Sequence, residues 1–437
     1  MAEVRCVAHY DLIVVGGGAG GTGAALTAGR LGLRTLWIEK ERTPGGTGVQ
    51  SLVSVWQPAV SEGTLPRELA ETLAARGQAH YISPALDTPS GCPLYRRDPG
   101  AAYTDTLRRW ADAERGLIGA GVAYTPEAMS ALLVKLAAEA GVELWIDTVC
   151  LQAHTAPGTD GLRRVIGLTV DRGGQRERVA AGFYVDATGD LAVARSTGCE
   201  TVWGRESRDA YGEPSAPVEH EFRLNGWTLC FECRPGPDLV ALPTECFGHD
   251  GDSAHISELP DGTLNVNLVY QLPGEVAWRM GPEQAREALL GNIARRWPRV
   301  QAAYGLEGYG ITRVAARAGV REGPRLVGRY VLTEHDVRAG KRGSHHPDCI
   351  AWTDHAMDRH SPDGGCLESE QGPVGVPLRC LQPGEVDNML VACRGASFSS
   401  LAASAVRLQR TMIELGEAAA RFIAGSRQAP EQREMTR

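Results

Sequence analysis

The sequence predicts an α/β fold, a parallel helix-flanked sheet joined to an α+β region whose sheet is mostly antiparallel. Three observations predict it. A strand-forming run at residues 10–15 opens directly into Gly16-Gly17-Gly18-Ala19-Gly20-Gly21. Three strand-like runs, at 151–155, 164–171 and 176–185, lead to one loop beginning at Asp186. From Trp203 onward, short alternating segments replace the strand–helix alternation.

The first unit is shaped for phosphates. Its apolar run ends in a GxGxxG turn at Gly16, Gly18 and Gly21, and an alanine-rich helical stretch follows at 22–31. A second apolar run at 35–38 delivers Glu39, 18 positions after the last glycine. A dinucleotide-binding βαβ unit places its acidic residue about 20 positions on. Gly16 permits the tight turn, Gly18 lets a pyrophosphate reach the backbone, and Gly21 lets helix and strand pack closely. The helix N-terminus offers free N–H groups and the positive end of its dipole. Glu39 is placed to accept hydrogen bonds from a ribose. Gly20, Lys40, and the Gly45-Gly46-Thr47 turn, where a flat ligand can approach the backbone, complete the candidate contacts in this half.

Residues 51–120 read as an irregular excursion or cap with a helical patch at 65–76. Thr125, Pro126 and Glu127 then signal a helix start, with apolar Met129, Leu132, Leu133, Leu136 and Ala137 at helical spacing and Gly141 as its end. A strand at 142–146 and the three runs named above lead to Ala187, Thr188, Gly189 and Asp190. Beyond Trp203, segments 219–223, 253–258 and 263–270 read as strands and 281–304 as an amphipathic helix. A buried strand at 388–392, an alanine-rich helix at 401–423 and a polar, disordered tail close the chain.

At 437 residues the chain is long enough for two or more lobes, and 43% hydrophobic with 22% charged residues is an ordinary globular composition. A net charge of −8 argues against nucleic acid or an anionic membrane as partner. No signal peptide opens the sequence and no apolar run is long enough to span a bilayer. The 11 cysteines, odd in number and scattered, fit reduced thiols and a cytoplasmic location. Cys230 and Cys233 form a lone CxxC pair in a strand-like run, which reads as sheet rather than metal site.

Which dinucleotide is bound follows from resemblance. The run Gly305-Leu306-Glu307-Gly308-Tyr309-Gly310 has the wrong spacing for a second nucleotide loop, so no separate nicotinamide domain is expected. The Ala187-Thr188-Gly189-Asp190 motif resembles the second FAD motif of glutathione-reductase-type flavoproteins, and the last strand and helix resemble the closing FAD element of that group. Residues 321–328, 330–336, 377–381 and 387–394, with Ala405-Val406-Arg407 and 416–419, resemble the FAD-dependent oxidoreductase family that includes xanthan-lyase-associated flavoproteins. The resemblance covers most of the chain. It implies a Rossmann-type FAD-binding domain with a three-stranded β-meander, plus a discontinuous α+β substrate domain. The implied division is FAD-binding at 1–50, 121–205 and 377–424, a cap at 51–120, a substrate domain at 206–376 and a tail at 425–437. It adds Arg394 and Ala405 to the cofactor contacts. Two departures stand near the implied flavin: Cys393 replaces a glycine, and Gln409-Arg410-Thr411-Met412 replaces a Met-Pro-Thr-Cys run.

Oxidation by a flavin removes a hydride to flavin N5 and leaves a proton for a base. The supply of bases is richest at His345, His346, Asp354, His355, Asp358 and His360. The segment 355–360 resembles one ending in Asp-x-His that enters the family's active site. His360 is thus the first candidate base, Asp358 its orienter and His355 a third candidate. Arg379 and Trp352 are candidate substrate contacts, while Arg321 and Arg325, bracketing Gly323-Pro324, suit either an anion or a salt bridge. No spacing matches a metal site. The expected function is FAD-dependent oxidation of a small molecule (an alcohol, an amine or a C–C unit), with oxygen or another acceptor restoring the flavin. The rivals are an NAD(P)H-dependent flavin monooxygenase and a non-catalytic FAD-binding protein. A homodimer is one expected assembly.

Overall fold

The computed structural model describes residues 6–60, 63–107, 119–244, 251–343, 346–359, 366–367 and 373–434. Seven strands make the first sheet: β1 (Cys6–Val15), β2 (Thr35–Ile38), β7 (Glu143–Trp145), β8 (Thr148–Pro157), β9 (Arg163–Arg172), β10 (Gln175–Asp186) and β21 (Met389–Val391). Their order is β7-β2-β1-β10-β9-β8, with β21 alongside the C-terminal end of β10. The strands β7, β2, β1, β10 and β21 run parallel, and β8, β9 and β10 form an antiparallel meander. β2 and β21 are buried at every position, as apolar runs are in a sheet with helices on both faces.

Register decides where the chain leaves this sheet. Val15 pairs with Ile38 on one side and with Asp186 on the other, and Asp186 pairs in turn with Val391. The parallel strands therefore end level. Gly16, Glu39, Ala187 and Ala392 emerge side by side along the carboxyl edge, where open α/β sheets bind their ligands.

Helix α1 (Ala19–Arg30) lies against α11 (Gln409–Glu434) so closely that backbones touch. A Cβ on Gly416 would stand 2.0 Å from the Gly20 carbonyl oxygen, and one on Gly23 would stand 2.0 Å from that of Ile413. Helix α4 (Pro126–Glu139) begins as expected at Thr125, whose side chain makes no capping hydrogen bond.

The second sheet holds β3 (Val55–Trp56), β4 (Ala79–Ala85), β5 (Leu94–Arg97), β6 (Gly121–Tyr124), β12 (Phe231–Pro235), β13 (Ala254–Glu258), β14 (Leu264–Leu268) and β15 (Tyr309–Val314), in the order β15-β12-β14-β13-β5-β4-β6-β3. Only β13 and β5 pair parallel. The stretch 51–120, expected as irregular, thus contributes β3, β4 and β5, together with helix α3 (Thr64–Ala75). These strands find their partners far downstream, with Leu94 opposite Ile256. Helix α8 (Pro282–Tyr304), preceded by α7 (Gly274–Met280), buries Leu289, Ile293, Trp297 and Val300 against this sheet, with Trp297 edge-on to Phe231 at 5.1 Å. The glycine run after α8 is a cap and turn: Gly305 sits at φ +69°, and a Cβ on Gly310 would meet the Pro237 backbone.

Short helices α2 (Thr47–Gln50), α5 (Ala192–Ser196), α6 (Arg208–Tyr211) and α9 (Glu334–Gly343) join these layers. So do the strand pairs β11 (Thr201–Val202) with β16 (Arg325–Leu326), β17 (Cys349–Thr353) with β20 (Val374–Pro377), and β18 (Met357–Asp358) with β19 (Cys366–Leu367). The helix expected at 401–423 is two: α10 (Ser400–Val406) ends at Arg407, and α11 starts at Gln409 and continues to Glu434, through most of the stretch expected as a tail. Among the described residues no helix is long and apolar enough to cross a membrane.

Candidate cofactor and substrate site

Each glycine of the first turn is needed for a different reason. Gly16 holds φ +107°, and a Cβ there would stand 2.6 Å from the Ala187 carbonyl oxygen. The turn is pinned where the Gly16 N–H donates to the Ile38 carbonyl at 2.8 Å and the Trp37 indole N–H donates to the Gly16 carbonyl at 3.0 Å. Gly21 passes the Gly16 carbonyl and Gly20 the Ala392 carbonyl, leaving a Cβ only 1.8 and 1.7 Å respectively. Gly18 differs, because a Cβ on it would meet nothing within 4 Å. It starts α1 with no side-chain capping bond, so the helix's first N–H groups face an open backbone surface. Gly45 and Gly46, at φ +119° and +51°, close over it: Gly45 N–H donates to the Gly17 carbonyl at 2.7 Å, and Thr47 behind them opens α2.

Glu39 is buried, its carboxylate accepting N–H bonds from Gly17 and, at 2.8 Å, from Glu41, while Lys40 is exposed. Burial raises the Glu39 pKa against those two bonds. The neighbouring loop is organised by a residue outside the predicted set, Asp186. Its Oδ1 accepts the Thr188 N–H at 3.0 Å and hydroxyl at 2.6 Å; its Oδ2 accepts the Val193 and Ala194 N–H groups at 2.9 and 2.8 Å. Burial nonetheless pushes its carboxyl up to about 6. The available signal was an acid at a strand end followed, six residues on, by a short helix needing its N–H groups satisfied. Gly189 passes beneath the Arg394 guanidinium, Asp190 is exposed, and the Arg394 Nε is buried without a hydrogen-bond partner. Cys393 is buried, its thiol raised to about 12, and its Sγ accepts the Gly395 N–H at 3.3 Å. Ala405 is buried in α10, its carbonyl accepting the Thr353 hydroxyl at 2.9 Å.

A dinucleotide fits this edge. The open face at Gly18 and the uncapped start of α1 suit a pyrophosphate, and Arg394 brings an incompletely bonded cation to the Gly189 loop.

Two of the acid–base candidates, His355 and Asp358, lie at the junction of α10 and α11, whereas His346 meets Asp336 at 3.3 Å. His355 is buried, and its Nδ1 lies 2.6 Å from the Ala356 carbonyl oxygen. A carbonyl only accepts, so Nδ1 carries the proton and Nε2 the lone pair. Burial first, and the Arg407 charge second, lower the His355 pKa to about 4, leaving a neutral ring at pH 7. Asp358 pairs with Arg407 at 3.2 Å. His360 and His345 lie outside the described residues. Arg321 donates to the Gly226 carbonyl at 2.9 Å and to the Thr228 hydroxyl, whereas Arg325 is a core residue held by Glu206 and Glu322. Arg379 is on the surface, paired with Asp348 at 3.1 Å and stacked over Tyr330. Trp352 packs over Gly375 in the β17–β20 ribbon. Cys230 and Cys233 are buried free thiols.

The departure at the start of α11 ties this junction to the 51–120 stretch. Gln409 donates to the Val53 carbonyl at 2.7 Å and accepts from the Tyr124 hydroxyl at 3.2 Å. Arg410, buried, donates to the Gln57 carbonyl and to the Thr106 carbonyl and hydroxyl at 3.0 and 2.8 Å. These polar residues anchor the start of α11 to the 51–107 stretch.

Comparison with known proteins agrees with this architecture. A family model described as FAD dependent oxidoreductase matches residues 11–431. A vinyl phenol reductase from Lactiplantibacillus plantarum is 31% identical over 163 residues, which is 35% of this chain and 32% of that protein. The match therefore spans about a third of the relative's length. An uncharacterised protein of the nifH2 5′ region of Methanosarcina barkeri is 28% identical over 205 residues, 46% of this chain and 95% of that one. Among solved structures, a geranylgeranyl bacteriochlorophyll reductase-like protein from Thermoplasma acidophilum shares the fold, with a TM-score of 0.51 at 14% identity over 97% of this chain and 79% of that one. The chain belongs to the FAD dependent oxidoreductase family, and its cofactor is FAD.

Proposed function

We propose that the protein oxidises a small molecule at a carbon bearing an alcohol, an amine or a saturated C–C unit. Bound FAD supplies the two-electron acceptor that takes the hydride. The chain's own residues hold the cofactor, position the substrate and receive the companion proton. Gly18, the start of α1, Gly46 and Arg394 are the proposed cofactor contacts, and the second sheet with the 349–358 segment is the proposed substrate side.

The observation that carries this reading is the state of His355. A buried, neutral ring with its proton on Nδ1 has its basic nitrogen at Nε2, beside an Asp358–Arg407 pair that is itself mostly buried. His355 thus receives the proton that leaves the substrate O–H or N–H as its C–H electrons depart. His360 remains a proposed partner in that proton transfer.

Anaerobic mixing of the FAD-loaded protein with panels of alcohols, amines and saturated acids tests the reading. Bleaching of the flavin absorbance by one class, with recovery in air, is the expected result. Rapid bleaching by NADPH alone would point to the monooxygenase chemistry instead.

A further inference from the structure

Among the described residues, the cluster around His355 holds two guanidiniums, Arg321 and Arg407, and the Asp358 carboxylate. Arg321 is bonded only to neutral groups, the Gly226 carbonyl and the Thr228 hydroxyl, and among the described residues it forms no ion pair. Arg407 meets Asp358 through Nη2, while its Nε is buried with no hydrogen-bond partner. The two guanidiniums feel each other: burial first, then the Arg407 charge, lowers the Arg321 pKa to about 10, with Asp358 acting the other way. His355 is neutral, so among the described residues acting on this pair one carboxylate, Asp358, stands against two cations.

The Arg321 side chain is half-buried, and its guanidinium is partly desolvated. Tyr270 is near enough to affect its charge and is held at φ +56°, a left-handed conformation uncommon for a bulky residue and typical of built sites. A desolvated excess cation is costly until an anion arrives, and the guanidinium fork fits a carboxylate in two places. Arg325, by contrast, already has both its carboxylates and needs nothing further.

We propose that Arg321 and Arg407 form a subsite for a carboxylate, so that the molecule processed here is an organic acid. The assignment of that acid as the oxidised substrate rests on the function proposed above; the binding itself does not require turnover.

The test uses the FAD-loaded protein and three probe pairs, acetate, succinate and benzoate, each against its neutral amide. The readouts are perturbation of the flavin visible spectrum and a thermal shift. At least one acid should bind saturably where its amide does not. Arg321→Gln and Arg407→Gln should each weaken that acid about tenfold or more, with Arg→Lys at either position recovering part of the loss. Affinity for FAD, followed by fluorescence quenching, should stay within about threefold.

Equal responses to acid and amide, no response to any acid, or Gln variants that bind acids as the parent does would overturn the subsite. So would a loss of FAD affinity matching the loss of acid affinity, which would mean that the arginines serve the cofactor. The two readings fail separately. Acid binding without bleaching by any panel removes the oxidation and leaves the subsite; bleaching by neutral substrates with no acid response does the reverse.

Discussion

Gly46 closes on Gly18 backbone to backbone, with room for a Cβ on Gly46 only 2.6 Å from the Gly18 Cα, whereas a Cβ on Gly18 itself would meet nothing within 4 Å. The two substitutions to Ala should therefore separate folding from cofactor binding. Gly46→Ala adds a clash at φ +51° and should cost about 1–3 kcal/mol of stability as well as FAD. Gly18→Ala should leave the urea midpoint of the apoprotein within about 0.5 kcal/mol and still weaken FAD at least about tenfold. A Gly18→Ala protein with unchanged FAD affinity would show that the pyrophosphate does not approach there.

Asp186 collects four donors on two oxygens, so Asp186→Asn turns an amide N–H toward at least one of them, at a cost of about 1–3 kcal/mol. The cost depends on pH. The folded-state pKa is raised from 3.8 to about 6, so the group's contribution is fully present below about 4 and is lost as pH rises through 6. The difference between parent and variant should shrink across that window, by up to about 3 kcal/mol. Denaturant midpoints of both proteins at several pH values check this; a difference that grows with pH contradicts it.

His355 titrates the other way. Its folded-state pKa is lowered from 6.5 to about 4, so its contribution is present above 6.5 and is lost as pH falls toward 4. Relative to His355→Gln, the parent should lose stability over that range, and its ring signals in NMR should not shift with pH above about 5. The same variant should lose about 10²–10⁴-fold in kcat for the substrate that bleaches the flavin, while still holding FAD.

Arg410 should be structural. Replacing it with Met removes donors from the Gln57 and Thr106 carbonyls, and should cost about 2–4 kcal/mol. Limited proteolysis should then cut first within residues 51–107, the stretch that it anchors. Unchanged cleavage would separate Arg410 from that role.

The cofactor edge was legible because each of its parts is local. A strand end followed by Gly16, and a meander running into Ala187, need only near neighbours to be recognised. The second sheet was half hidden, because β3 to β5 are short and pair across long sequence gaps, as Leu94 does with Ile256. The break at Arg407 was hidden too. Helical propensity continues through Val406 and Thr411, and the chain turns there because Arg407 reaches Asp358 and Gln409 reaches Val53. Arg321 and Arg325 look equivalent in sequence; only tertiary structure gives one two carboxylates and, among the described residues, leaves the other none within ion-pair reach.

The level ends of β1, β10 and β21 also set an order of events during synthesis. Among the described residues β21 is the last strand, and the helix packed on α1 comes after it. A nascent polypeptide stalled before residue 389 has neither the wall that Ala392 presents to Gly20 nor Arg394 over Gly189. A cofactor held by the proposed contacts at Gly18 and Arg394 therefore cannot settle until residues 389–394 have joined the sheet.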